Sequence, residues 1–131
     1  MPNNVRKEGN VYGVYAITVD GIPGKVYIGY TNNFENRFKE HTRGFLRGHG
    51  PDMYVEFRKE NLSRKDIRFH ILAEKLTYDE ARSYEAEKIV AYKSYDERYG
   101  WNRATEVSHL KNFNVDRNAP PLPKEAADEQ H

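Results

Sequence analysis

Five side chains of this 131-residue sequence could act together on a phosphate ester. Tyr15 and Tyr27 carry phenols that can accept or relay a proton. Arg37 and His41 stand four residues apart, the spacing that puts two side chains on one face of a helix. Glu85 is a carboxylate in a segment whose neighbours are apolar at helical spacing. Phosphodiester hydrolysis needs an activated water, charge neutralisation on the phosphoryl oxygens and help for the leaving oxygen. A carboxylate holding a hard cation, one base and one or two cationic donors can supply all three.

Each residue also has a structural reading. The chain has 10 tyrosines, and strand tyrosines usually pack by their ring and wet their hydroxyl. Glu85 can pair with Lys88, three residues on along the same face. His49, flanked by Gly48 and Gly50, reads equally as an exposed loop residue. His41 and His49 have no third ligand within a shared motif, so a zinc site does not follow. Phosphate-cradling glycine loops and a Gly-x-Ser-x-Gly nucleophile elbow are absent from the sequence.

The positioning elements are legible. Val11 to Val19 is β-branched and aromatic and predicts a strand. Asp20 to Gly24 is a Gly/Pro turn, and Lys25 to Thr31 predicts the second strand of a hairpin. Counting by two puts Gly13, Tyr15 and Ile17 on one face, and Tyr27 and Gly29 share a face of the partner. Thr31, Asn32 and Asn33 offer N-caps for a helix over Phe34 to Phe45. His41 falls inside its apolar stripe and Arg37 at the edge, where it should look toward the sheet. A short helix follows with Met53, Tyr54 and Phe57 inward. Ile67 to Ile71 alternates as a third strand. Thr77 to Glu80 is a capping box opening a helix to Tyr95, whose stripe carries Ala81, Tyr84, Ala91, Tyr92 and Tyr95. The fold class is α/β (α+β), a small three-stranded antiparallel sheet flanked by helices.

Size allows one domain and a tail. The boundaries are an N-terminal extension over 1–10, the domain over 11–111, and a Pro-containing, disordered tail over 112–131 that is poor in apolar residues. Cysteine is absent, which removes disulfides and thiol chemistry. No apolar run suits a bilayer, and the N-terminus has no signal-peptide pattern, so a cytoplasmic protein without membrane contact is expected. Net charge is only +1, but residues 1–70 hold 12 Lys/Arg against 8 Asp/Glu. That half includes Arg37, Lys39, Arg43 and Arg47, which suits a phosphate backbone or simply makes a solvated helix face.

Gly13-Val14-Tyr15, then Tyr27-Ile28-Gly29, then Arg37 and His41 within about 30 residues resemble the GIY-YIG nuclease superfamily, most closely the catalytic domains of phage intron-homing endonucleases. The resemblance continues through His49, Glu85 with Ile89 four residues on, and Asn102 in Gly-Trp-Asn. It departs only in Val14 for isoleucine. It implies a metal-dependent DNA endonuclease. In that reading Tyr15 is the general base or orders the nucleophilic water, and Tyr27 assists. Arg37 holds the phosphate, and His41 receives or relays a proton. Glu85 ligates one Mg²⁺ or Mn²⁺ per site, and Gly13, Gly29, His49 and Asn102 support the site. Homing and repair members join this domain to a DNA-binding module that does not fit here, so specificity would come from a homodimer or a separate partner. The alternative is an idle DNA-binding or adaptor module that kept the fold.

Overall fold

A computed structural model describes residues 7–103. The tail expected over 112–131 and the first six residues lie outside them. Three strands, β1 (Tyr12–Val19), β2 (Tyr27–Thr31) and β3 (Ile67–Leu76), form one antiparallel sheet in the order β2-β1-β3. Helices α1 (Phe34–Arg47) and α2 (Asp52–Lys59) pack on one face and α3 (Tyr78–Tyr92) on the other.

β1 is central, so both its faces are covered, and every residue of it but Thr18 is buried. Odd positions Tyr15, Ile17 and Val19 join Phe45, Met53 and Phe57 beneath α1 and α2. Even positions Tyr12, Val14 and Ala16 join Ile28, Ala81, Ala86, Ile89 and Tyr92 beneath α3. The hairpin register pairs Tyr15 with Gly29 and Ile17 with Tyr27, which places the tyrosines and both motif glycines on the α1 face as the alternation requires.

Boundaries moved where local signals were weak. β2 starts at Tyr27, because Val26 turns away to bridge Gly100 in parallel. α1 runs two residues further than expected and ends at Gly48, whose φ of 75° closes the helix in a left-handed cap. Asn33 is its N-cap, accepting from Asn36 N. β3 extends to Leu76, past two register shifts against β1 that break simple alternation. α3 stops at Tyr92, three residues early, with Lys93 in the left-handed conformation. Its buried stripe is Ala81, Glu85, Ala86, Ile89 and Tyr92; Tyr84, Ala91 and Tyr95 are only half-buried.

No helix among the described residues is long and apolar enough to cross a membrane.

Candidate active site

Tyr15 is 2% exposed because its ring lies across the hairpin. A Cβ on Gly29 would come 2.4 Å from the Tyr15 hydroxyl oxygen, so only glycine leaves that path open. Gly13 does the same for Phe34, whose ring tip would be 2.3 Å from an added Cβ. Phe34, Phe38 and His41 then meet Tyr15 edge-on, at ring separations of 6.4, 5.4 and 5.6 Å, the arrangement favoured by ring quadrupoles. Tyr27 stands against the same imidazole at 5.7 Å.

His41 is 7% exposed, inside the α1 stripe as its spacing predicts. Both ring nitrogens are engaged. Nε2 shares a hydrogen bond of 2.8 Å with the Tyr15 hydroxyl, and Nδ1 shares another of 2.8 Å with the Tyr54 hydroxyl from α2. Burial first, then the Arg37 guanidinium, holds the imidazole down to a pKa of about 4, so it is neutral at pH 7. Burial likewise pushes the Tyr15 phenol well above its ordinary value. The Tyr27 and Glu85 charges push the same way and Arg37 opposes them.

Those influences locate the group. Tyr27, Arg37, Glu85 and Tyr54, from β2, α1, α3 and α2, all act electrostatically on the Tyr15 hydroxyl. Arg37, at the edge of the α1 stripe, is partly and not fully buried. Its side chain is 41% exposed and bonds Glu40 at 3.2 Å, because a guanidinium keeps water unless buried partners replace it.

Glu85 is 7% exposed and lies in the α3 stripe between Ala81 and Ile89. Its charge acts on both Tyr15 and Tyr30. Lys88, three residues on, lies over the Tyr84 ring at 5.1 Å. Glu85 is the buried carboxylate that could hold a hard divalent ion, which keeps several waters and accepts one or two carboxylates. Both His41 nitrogens are taken by phenols, and no group of three or more His, Cys, Asp and Glu that could hold a metal occurs among the described residues.

Asn102 is buried and closes the outer edge of β2. Its Oδ1 accepts from Ile28 N and its Nδ2 donates to Ile28 O, each at 2.9 Å. Val26 N to Tyr99 O and Trp101 N to Val26 O, at 3.1 Å each, extend the cover to Val26, so this part of the edge is paired. Its support is thus structural. His49 is exposed on the turn after α1 and makes no hydrogen bond, ion pair or ring contact among the described residues.

Two members escaped the sequence reading. Ser94 donates to Asn102 Oδ1 at 2.7 Å, and nothing local marks it. Tyr54 was expected only to pack inward. Gly44, a glycine inside a helix, was its available signal, because an interior glycine asks what lies against it.

The family model of the GIY-YIG catalytic domain matches residues 11–100. No curated protein and no solved structure matches. The matched span covers more than half of the chain and holds both tyrosine motifs, Arg37, His41 and Glu85. The chain belongs to the GIY-YIG family, whose catalytic domains are nuclease domains that generally use divalent metals.

Proposed function

We propose that this protein is a divalent-metal-dependent DNA endonuclease that hydrolyses phosphodiester bonds with a tyrosine-based site. The observation carrying this reading is the buried Tyr15–His41 hydrogen bond, with Arg37 and Glu85 both in electrostatic reach of the same hydroxyl.

Tyr15 takes a proton from the attacking water while passing its own to the neutral imidazole of His41. A free phenolate is not required, which suits a hydroxyl whose ionisation burial opposes. Tyr27 borders the same imidazole and orients the water by its hydroxyl. Arg37, half in solvent, can exchange Glu40 for a phosphate and hold two of its oxygens with a planar fork. Glu85 would hold the cation, Mg²⁺ or Mn²⁺, which when bound supplies charge neutralisation at the phosphoryl oxygens and the leaving oxygen. The catalytic unit spans 11–111, with 112–131 outside it, and a homodimer or a separate partner supplies target choice. The cytoplasm suits a cysteine-free chain of this kind.

Nicking of supercoiled plasmid with Mg²⁺, with Mn²⁺ and with a chelator tests the reading. Metal-dependent conversion to the open circle is expected. DNA retention without conversion in either metal would favour an idle DNA-binding module.

A further inference from the structure

Gly44 lies inside α1, where glycine is a poor helix former beside alanine. The Tyr54 ring occupies the space that a side chain would fill. A Cβ on Gly44 would come 2.3 Å from Tyr54 Cε2 and 2.4 Å from Cζ. The notch lets α2 close on α1 and delivers the Tyr54 hydroxyl to His41 Nδ1 at 2.8 Å. Phe45 meets the same ring edge-on at 4.9 Å and holds its tilt. Phenol, imidazole and phenol therefore form a line from the sheet interior to a half-buried side chain of α2.

The direction of the line follows from burial. Tyr15 is 2% exposed, and His41 Nε2 is its hydrogen-bond partner among the described residues. A buried hydroxyl proton without an acceptor is costly, so Tyr15 donates to Nε2. That nitrogen then carries no hydrogen, and the neutral ring holds its proton on Nδ1. Nδ1–H donates to the Tyr54 oxygen, and Tyr54 can give its own proton to water. The charges facing Tyr54 are Arg37, Arg47 and Glu40; the two guanidiniums favour an electron-rich oxygen there.

We propose that Tyr54 is a positioning residue that fixes His41 in the Nδ1–H tautomer and completes a proton path, Tyr15–His41–Tyr54, from the reacting water to solvent. This rests on the nuclease reading. As the water oxygen bonds to phosphorus, one of its protons passes to the Tyr15 oxygen and the Tyr15 proton passes to Nε2. The Nδ1 proton passes to the Tyr54 oxygen, and the Tyr54 proton leaves to a solvent water. Each residue ends neutral, with the imidazole as its Nε2–H tautomer, and solvent exchange after product release restores the start. A path of this kind suits His41, which holds an extra proton poorly at neutral pH.

Tyr54→Phe keeps the ring against Gly44 and removes only the hydroxyl. Nitrogen-15 NMR of the imidazole reads the tautomer without any reference to activity. Wild type should show Nδ1–H, and Tyr54→Phe should lose that signature to a mixture. Plasmid nicking in Mg²⁺ should fall roughly a hundredfold in kcat, the low end of what positioned proton transfer contributes, with DNA Kd and melting temperature nearly unchanged. Gly44→Ala, which displaces the Tyr54 ring, should reproduce the tautomer change with the hydroxyl still present. Nε2–H in wild type, an unchanged tautomer in Tyr54→Phe, or a changed tautomer with full nicking would each overturn the proposal. An inactive wild type that still shows Nδ1–H would instead fail the nuclease reading, and the path's purpose would fall with it.

Discussion

The two faces of the sheet are filled differently, although the same central strand lines both. Beneath α3 the buried residues are Tyr12, Val14, Ala16, Val26, Ile28, Leu72, Ala81, Ala86, Ile89 and Tyr92. Glu85 is the one carboxylate buried there among the described residues. Beneath α1 and α2, Ile17, Val19, Ile22 and Met53 are buried with Tyr15, Phe45 and Phe57, and Phe34, Phe38 and Phe69 pack against them, Phe38 stacked on Phe69 at 4.3 Å. Aliphatic side chains interdigitate without direction, whereas rings meet at preferred angles and carry hydroxyls to defined points. The α3 face thus buries one carboxylate among the described residues. The α1 face places a hydroxyl-imidazole-hydroxyl line on which proton transfer can run.

Glu85→Ala breaks the comparison hardest, because it removes the one carboxylate that α3 buries among the described residues. Loss of a cation worth several kcal/mol of barrier should lower plasmid nicking by about three orders of magnitude or more. The thermal melt of the metal-free protein should hold or rise, since a buried carboxylate has left an apolar stripe. A lower melt with surviving nicking would reassign Glu85 to a structural ion pair.

Arg37→Lys tests the opposite face. Charge is kept and the planar fork is lost, so turnover should fall by roughly a hundredfold with little change in DNA affinity. Near-normal turnover would leave Arg37 as the surface partner of Glu40.

His41 gives a smaller effect, read in stability. Its folded pKa of about 4 lies below the ordinary 6.5, so the unfolded chain takes up a proton that the folded chain refuses. Stability is full above about pH 7 and declines as pH falls through 6.5 toward 4. Between pH 7 and pH 5 the loss should be about 2 kcal/mol, seen as a lower urea midpoint. His41→Gln should remove that part of the decline. An unchanged slope in the Gln variant would mean that His41 is not held neutral by its surroundings.

Much of this was legible in the sequence. Period-two alternation put Gly13 and Tyr15 on one face of their strand and Tyr27 and Gly29 on one face of theirs, and the pairing register joins the two; helical spacing put His41 in a buried stripe. Glu85 was legible as a carboxylate out of place, and it lies deeper in its stripe than expected because Ala86 and Ile89, not Ala91 and Tyr95, form the buried side. What was hidden is non-local. The last turn of α3 ends on a lysine in a left-handed conformation, which no glycine announces. The extension of β3 depends on bulged pairing with β1, not on its own pattern. Tyr54 was visible as an inward residue, but its partner His41 lies on another helix. Only the notch at Gly44 hinted that the two helices come close.

The most direct test of the central claim compares Tyr15→Phe with wild type in plasmid nicking at matched DNA occupancy in Mg²⁺. The substitution keeps the ring against Phe34, Phe38 and Gly29 and deletes the hydroxyl that His41 engages. A folded, DNA-binding variant that leaves the plasmid supercoiled is the predicted result. A Phe variant that nicks at a rate near wild type would contradict a tyrosine-based reaction.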